Sequence, residues 1–587
     1  MKFESLPNEI LLDLFDYFNG IDLLHAFNGL NYHFNSLLYK QYQSYHFKFN
    51  SISKYNFDTI CSQHLPFITD RIISLSLSDN EKTPGQINLF RSYISSFSQF
   101  TRLRSLSIYH LHSYDTLMKI VDECHHLNYL TYLNFYSYFS RFQYNQKDFQ
   151  SIVNNIWNFP QLTHCNVDIS IQGYNFFSIP TKISTSLKYL NMYNNKLTWN
   201  QINKLFEYTP YIKYLSIIIF SGINVYYIPS SSFPTLIDLK ISIYHMSDTS
   251  KIISFLQNTP NLHRLNITLW WKFINGHQWE HVICNYLPKL KVFQLRMNDT
   301  FYNVNIEEKA NELVNSFRSS FWIDEHNWFI RCITSDNTIH LYTLSKLFNY
   351  YELKHPDLLQ STYLHDNQQE FYNNITSIMF DYFFNSSIPS NISLPNIQEL
   401  DIKFPINNQF WSIVPNLKRL HSLKILSYTD EFYSQLQFLL DQAHHLSRLA
   451  VHQDLSLPFQ LSLFKLINKT DRILNLNNYY CFNEEKCVTL NSSLLGIQCQ
   501  ILYVRIEYLE SVIIICKNMI NLRVLYVKCT DGKNTVYLPK PKKNDQFFNV
   551  KQINIDEVIK WLKDRLPSTY LIVEDPNWSY HLQIWIK

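Results

Sequence analysis

Short apolar phrases recur along most of the chain. Each phrase places three apolar residues in the order apolar-x-x-apolar-x-apolar, as in FTRLRSLSI at 100–108. Eight phrases follow one another, at 100–108, 127–135, 159–167, 185–193, 209–217, 233–241, 259–267 and 287–295, and four more lie at 394–402, 417–425, 443–451 and 519–527. Because the last two apolar residues alternate with polar ones, each phrase predicts a short β-strand with one buried face.

The segments between these phrases have apolar residues at helical spacing, for example at 115–127, 200–210, 249–260 and 431–446. Several segments end in a proline just before the next strand, where proline stops a helix: Pro160, Pro210, Pro260 and Pro288. Alternating strands and helices predict an α/β protein with a parallel sheet. No single strand–helix unit can bury its apolar face alone, so the units must stack.

The first apolar residues of the eight consecutive phrases recur every 24 to 32 residues, at Leu103, Leu130, Leu162, Leu187, Ile212, Leu236, Leu262 and Leu290. This phrase and this period resemble the leucine-rich-repeat family over roughly residues 68–530. The resemblance implies a horseshoe-shaped solenoid with a parallel sheet on its concave face. We expect repeats at 49–300 and 394–540, divergent repeats or a structured insertion at 301–393, and a C-terminal cap at 541–587.

The residues that alternate with the strand leucines should line the concave face. One column reads Ser105, Tyr132, His164, Tyr189, Tyr214, Asp238 and Arg264, and the next reads Ser107, Asn134, Asn166, Asn191, Ser216, Lys240 and Asn266. Tyrosines beside amides are typical of protein-binding surfaces. We therefore predict that a protein target is bound by Tyr132, Asn134, His164, Asn166, Tyr189, Asn191 and Tyr214. The alternative is that Tyr and Asn are simply abundant in this chain.

Residues 1–48 predict a module of three short helices. Apolar residues recur at helical spacing from Ile10 to Phe18, Asn19-Gly20 breaks the pattern, Asp22 can cap a second helix, and Gly29 precedes a third. The segment resembles the F-box family, whose opening pattern is matched by Leu6, Pro7, Glu9, Ile10, Leu11, Leu14, Phe15, Phe18, Asp22, Leu23 and Leu24. The family's later Val-Cys-Lys-x-Trp is replaced here by GLNYHF at 29–34.

The F-box resemblance implies contact with a Skp-type adaptor of a cullin–RING ubiquitin ligase. The adaptor-binding residues would be Leu6, Pro7, Ile10, Leu11, Leu14, Phe15, Phe18, Leu23 and Leu24. The alternative is that these helices merely close the N-terminal end of the solenoid.

The composition of the chain argues against several classes of function. Lys and Arg number 51 and Asp and Glu 48, so the balanced charge does not favour nucleic acid as a partner. The chain has no apolar run of about 18 residues and no signal peptide at its start, so we expect no membrane span and a cytoplasmic or nuclear location. The eight glycines form no phosphate-binding or nucleophile motif, HExxH is absent, and the ten cysteines form no CxxC. We therefore predict no catalytic residues, no metal and no cofactor.

These patterns predict a substrate-recognition subunit of a Skp–cullin–F-box ubiquitin ligase, which binds the adaptor through the F-box and an unknown target protein through the repeats. The alternative is a leucine-rich-repeat scaffold for protein interactions with no role in a ligase. An enzyme whose site the sequence does not reveal is a distant third.

Overall fold

A computed structural model describes residues 4, 6–139, 146–171, 178–220, 232–245, 248–302, 304–344, 357–366, 368–379, 392–406, 408–454, 456–467, 472–529, 555–575 and 581–586. These residues fall into two compact units. The first comprises the described residues of Met1–Asn80, Gly85–Lys346 and Leu358–Leu364, and the second those of Glu81–Pro84, Leu347–Asp357 and His365–Lys587.

The first unit alternates strands with helices along the chain. Its strands are β1 Tyr45–Lys48, β2 Ile72–Ser78, β3 Ser105–Tyr109, β4 Tyr132–Phe139, β5 His164–Ile171, β6 Tyr189–Leu197, β7 Tyr214–Phe220, β8 Asp238–Tyr244, β9 Arg264–Trp270, β10 Val292–Thr300, β11 Ile330–Ser335, β12 Thr338–Thr343 and β13 Leu358–Ser361. Its helices are α1 Asn8–Phe15, α2 Gly20–Phe27, α3 Tyr32–Ser36, α4 Lys54–Thr59, α5 Leu65–Ile68, α6 Gln86–Tyr93, α7 Tyr114–Glu123, α8 Gln146–Trp157, α9 Trp199–Tyr208, α10 Ser250–Gln257, α11 Gly276–Tyr286 and α12 Ile306–Asn315.

The strands of the first unit form one sheet in which β1 to β10 lie side by side in chain order, and each pairs with the next in parallel. The sheet then continues through β12, β11 and β13, which pair antiparallel. The parallel array ends at β10. The next strands, β11 and β12, form a hairpin, whereas parallel neighbours need a helical crossover between them.

The second unit repeats this plan with shorter strands. Its strands are β14 Ser377–Met379, β15 Glu399–Ile402, β16 Ser422–Ile425, β17 Arg448–Val451, β18 Ile473–Asn475, β19 Cys481–Phe482, β20 Ile501–Ile506, β21 Val524–Cys529, β22 Leu571–Glu574 and β23 His581–Trp585. Its helices are α13 Gln368–Asn373, α14 Asn408–Ile413, α15 Tyr433–Gln442, α16 Glu484–Ser492, α17 Leu494–Gln498, α18 Glu510–Asn518 and α19 Ile555–Lys563. The sheet runs β14-β15-β16-β17-β18-β20-β21-β23-β22, and only the pairings of β23 with β21 and β22 are antiparallel.

The cores follow the alternation predicted for each phrase. Leu190 on β6 and Leu239 and Ile241 on β8 are at most 1% exposed. Their neighbours along the strands, Tyr189 and Lys240, are not buried. The helices bury the matching apolar faces, as α7 does with Leu117 and Ile120. The polar face of each sheet is the side formed by the strand residues that alternate with these buried ones.

Several local predictions are confirmed. The four helical segments correspond to α7, α9, α10 and α15. Within 301–393, where divergent repeats or an insertion are expected, β14 pairs in parallel with β15. The C-terminal segment contains α19, β22 and β23, and β23 pairs with the last parallel strand. Its role as a cap stays a prediction. The prediction that Asp22 caps the second helix is wrong, because α2 begins at Gly20 and Asp22 lies in its first turn.

The aromatic segment 316–332 belongs to the first unit. It contains a π-helical turn at Phe321–Glu325 and leads into β11. The rings of Phe317, Trp322 and Trp328 pack with that of Phe293 on β10, at centroid distances of 4.8 to 6.1 Å between neighbours. This aromatic cluster fills the end of the core where the parallel strands stop.

Candidate functional site

The two predicted columns lie on the polar face of the first sheet. The strand pairing aligns Ser105, Tyr132, His164, Tyr189, Tyr214, Asp238 and Arg264 in one row, and it aligns Ser107, Asn134, Asn166, Asn191, Ser216, Lys240 and Asn266 in the next. The structure therefore confirms the predicted register, residue by residue, across six strand pairings.

Four rings of the first column form a continuous aromatic row, which we call the ladder: Tyr132, His164, Tyr189 and Tyr214. His164 stacks on Tyr189 with 4.1 Å between ring centroids and 5° between ring planes. Tyr132 and Tyr214 extend the row at centroid distances of 6.2 and 6.3 Å. Because parallel strands lie about 4.8 Å apart, identical positions on adjacent strands bring aromatic rings into stacking contact.

The ladder borders a cavity of about 260 Å³ lined by Tyr132, His164, Cys165, Asn166, Tyr189, Asn191 and Tyr214. Six of the seven residues predicted to bind a target lie around it. The seventh, Asn134, is buried, and its side-chain nitrogen donates to the hydroxyl of Tyr109 at 3.0 Å. The side-chain oxygens of Asn134, Asn166 and Asn191 are buried and accept no hydrogen bond from the described residues. Two of these amides, Asn166 and Asn191, line the cavity, with their oxygens below the accessible surface.

None of the described residues that line the cavity has an acidic or strongly basic side chain. Burial lowers the pKa of His164 from its ordinary value, with a smaller contribution from the charge of Lys188, and this favours the neutral imidazole. Burial raises the pKa of the Cys165 thiol to about 12, which leaves it protonated and unreactive as a nucleophile. Burial also raises the pKa values of Tyr132 and Tyr214. An uncharged cavity of this size suits one flat side chain of a partner protein rather than an ionised ligand.

The polar face of the second sheet is different in character. Tyr503 and Tyr526 stack across β20 and β21 with 4.3 Å between centroids. The carboxylate of Glu81, which belongs to this unit, accepts hydrogen bonds from Arg448 at 2.6 Å and from the Tyr503 hydroxyl at 3.0 Å. These aromatic and charged groups satisfy one another within the unit.

The N-terminal helices divide the nine predicted adaptor-binding residues into two sets. Leu11, Phe15, Leu23 and Leu24 are buried in the core of the module. Phe15 packs against Phe27 and Tyr42, with ring centroids 5.1 and 5.7 Å away. These four side chains stabilise the helices and are not accessible to a partner. Leu6, Pro7, Ile10, Leu14 and Phe18 are partly or fully exposed.

The same module exposes Ile10, which the sequence predicts for adaptor contact, to 51%. It also exposes three apolar side chains that sequence reasoning missed: Tyr17, which is 88% exposed, Leu30 and Tyr32. Tyr17 follows the helical run but does not lie on its apolar face. This position out of phase with the apolar residues is the sequence signal that could have predicted its exposure. The module also packs on the first sheet: a side-chain carbon at Gly20 would lie 2.7 Å from the ring of Phe47 on β1, so only glycine allows α2 to approach.

The described residues contain no group of three or more His, Cys, Asp or Glu side chains placed to hold a metal ion. Across the same part of the chain, none of the helices is long and apolar enough to cross a membrane.

Fold and site together define an α/β repeat protein with parallel-rich sheets and an aromatic–amide surface. The chain matches no protein-family model, and no curated protein matches it. Among solved structures, it is similar to a leucine-rich-repeat protein of Leptospira interrogans, with 13% identity over 70% of this chain and 85% of that one and a TM-score of 0.17. So distant a likeness carries no argument about the site, and the fold is defined by the strand register and burial within this chain.

Proposed function

We propose that this chain is a non-catalytic repeat protein of the leucine-rich-repeat type, which binds a target protein on the polar face of its first sheet. The observation that carries the proposal is the uncharged cavity, around which six predicted contact residues converge. Tyrosine and amide groups supply aromatic anchors and adaptable hydrogen bonds, which are the chemistry of protein recognition.

Affinity capture with the full chain tests this function. Proteins bound from a cell lysate are identified and quantified for three baits: the unchanged chain, the double variant Tyr189→Ala with Asn191→Ala, and Tyr211→Ala. Tyr211 is an exposed tyrosine that does not line the cavity, so its variant is a matched control. We expect a specific set of proteins to be retained by the first and third baits and lost by the second. Equal retention by all three would exclude the cavity as the binding surface.

We further propose that residues 1–48 act as an F-box, so that the chain presents its target to a Skp–cullin–RING ubiquitin ligase. This proposal is supported by the match to the F-box opening pattern and by apolar side chains that are exposed, at Ile10 and Tyr17, or partly exposed, at Leu6. Exposed apolar groups of this kind commonly mark a protein contact. The packing of Gly20 against Phe47 equally suits the alternative, a helical cap on a scaffold without a ligase role.

Co-purification with a Skp-type adaptor separates these two roles. We expect the full chain to retain the adaptor and Ile10→Asp to lose it, because a carboxylate would be placed in an apolar contact. Tyr55→Asp is the matched control, since Tyr55 is 74% exposed and lies outside the module. Loss of the adaptor by Leu6→Asp with Pro7→Ala would support the same contact. If the unchanged chain retains no adaptor, or if Ile10→Asp retains it fully, the ligase role is wrong and the scaffold role stands.

A further inference from the structure

A second group of aromatic rings lies where β7, β8 and β9 end. We call it the strand-end platform and define it as Phe220, Tyr244, His245, Trp270 and Trp271. Tyr244 and Trp270 stack with 5.2 Å between centroids and 9° between planes, and His245 and Trp271 stack at 4.2 Å and 17°. Phe220 meets His245 edge-on at 5.0 Å. Phe220 follows Tyr214 by six strand residues, which places the platform about 20 Å from the ladder.

The backbone beneath the platform is strained. His245 and Trp271 have φ angles of 54° and 62°, in the left-handed region that side chains with a β-carbon rarely adopt. The N–H of Trp271 donates to the carbonyl oxygen of Asn298 at 2.7 Å, and this bond holds the unusual conformation in place. Yet Trp271 is 46% exposed, so the strain does not bring its ring into the core. The same conformation follows β3 at His110, so it recurs at strand ends of this sheet, and at Trp271 it accompanies an accessible ring of the kind found at functional sites.

Cations flank the rings on both sides. The guanidinium of Arg296 lies 5.5 Å from the centroid of Trp270, and the ammonium of Lys196 lies 5.4 Å from that of Phe220. Lys272 follows Trp271 directly, and its charge contributes to lowering the pKa of Asp248.

The two nearby carboxylates are already engaged in local hydrogen bonds. Asp248 accepts from the N–H and hydroxyl of Ser250 at the start of α10, and Asp299 accepts from the N–H of Thr300. Among the described residues, the platform therefore presents the exposed rings of His245 and Trp271 beside three cations and two hydrogen-bonded carboxylates.

We propose that the strand-end platform is a second protein-binding site, which takes an aromatic side chain flanked by carboxylates on a partner protein. Tryptophan, tyrosine and arginine are the residues that dominate binding energy at protein interfaces. The partner's ring would stack on Trp271 and His245, and its carboxylates would pair with Lys196 and Lys272. Single-stranded nucleic acid also combines flat rings with negative charge, but it needs a longer track of cations than three side chains beside two carboxylates supply.

Fluorescence anisotropy with a labelled peptide and the full chain tests this site. The probe is a pentapeptide with one phenylalanine between two aspartates on each side. Its comparison probes carry alanine in place of phenylalanine, carry lysine in place of aspartate, or are a ten-nucleotide oligouridylate. We expect the first peptide to bind at least tenfold more tightly than each comparison probe, and added salt to weaken it. Equal binding of the lysine peptide, tighter binding of the oligonucleotide, or no peptide binding would each overturn the proposal.

The variant Trp271→Gly separates a binding role from a structural one. Glycine adopts a positive φ without strain, so we expect an unchanged or higher melting temperature together with at least a tenfold loss of peptide affinity. Phe220→Ala, at an ordinary strand position, should lower affinity as well. A lower melting temperature for Trp271→Gly with affinity retained would show that the ring is only structural.

The ladder variant Tyr189→Ala and the control Tyr211→Ala should bind the peptide as the unchanged chain does. These two variants distinguish the platform from the proposed target site, because the result at one surface does not depend on the result at the other.

Discussion

Each unit of the molecule contains a pair of aromatic rings that stack across neighbouring parallel strands. The surroundings of the two pairs differ. His164 and Tyr189 in the first unit are 4.1 Å apart, and Tyr503 and Tyr526 in the second are 4.3 Å apart. Tyr189 is 40% exposed and Tyr526 only 8%. The stacking geometry therefore does not by itself distinguish a binding surface from a packed interior.

The difference lies in what satisfies the polar groups around the rings. Beside the first pair, the side-chain oxygens of Asn166 and Asn191 have no partner among the described residues. Beside the second pair, Glu81, Arg448 and Tyr503 bond to one another. One repeat pattern can thus leave amide oxygens without partners among the described residues or join polar groups in a closed network, depending on a few side chains.

The largest expected difference is in the stability cost of removing one ring from each pair. Tyr526→Ala removes a buried aromatic side chain and should lower the free energy of unfolding by about 3 to 5 kcal/mol. Tyr189→Ala removes a ring that is 40% exposed and stacked on His164, and it should cost less, about 1 kcal/mol. Urea unfolding of the two variants measures both values. Similar losses for the two would mean that the ladder is a structural element like the second pair.

A core substitution in the first sheet should cost slightly less than the loss of Tyr526. Leu239→Ala, at a fully buried position of β8, should lower the free energy of unfolding by about 2 to 5 kcal/mol, and Leu190→Ala on β6 should behave alike. Lys240→Ala is the matched control on the polar face, with an expected change within about 0.5 kcal/mol. An unchanged melting temperature for Leu239→Ala would contradict the register of the sheet.

The strand register of the first sheet could be predicted because two periodicities in the sequence determine it. Alternation within a strand determines which side each residue faces, and the recurring phrase determines which residues become neighbours. Tyr189, for example, falls between His164 and Tyr214 as predicted. The polar face of the first sheet, including the ladder, could therefore be derived from sequence alone.

Other features depend on packing that no local pattern records. Ile10 and Leu11 are adjacent and equally apolar, yet Ile10 is exposed and Leu11 is buried. The left-handed conformation of Trp271 and the antiparallel hairpin of β11 and β12 also lie outside the repeat phrase. The hydrophobic pattern identified the N-terminal helices, but it could not tell their core from their accessible surface.

The charged network of the second unit gives an intermediate test. Arg448→Ala leaves the Glu81 carboxylate with the Tyr503 hydroxyl as its remaining partner, so we expect a loss of about 1 to 2 kcal/mol, reduced by the partial exposure of the pair. Lys424→Ala breaks the Lys424–Asp401 pair, whose atoms are 3.2 Å apart, and should cost under about 1 kcal/mol. Urea unfolding at low and at high salt compares the two. Equal losses would show that the network stabilises no more than an ordinary surface ion pair.

The smallest effect is confined to alkaline solution. Burial raises the pKa of Tyr526 well above 10, with further contributions from Tyr503 and Glu81, so the folded chain holds this proton more tightly than the unfolded chain does. The resulting stabilisation is complete below pH 10 and is lost as the pH rises toward the folded-state pKa, with a slope of at most about 1.4 kcal/mol per pH unit.

Tyr526→Phe removes this titrating hydroxyl while it keeps the ring. Its free energy of unfolding should therefore fall less steeply above pH 10 than that of the unchanged chain, and Tyr503→Phe, which removes a second hydroxyl of raised pKa, should act in the same direction. Parallel curves for the unchanged chain and Tyr526→Phe would show that this hydroxyl is as accessible as one at the surface, and the contrast between the two aromatic pairs would then disappear.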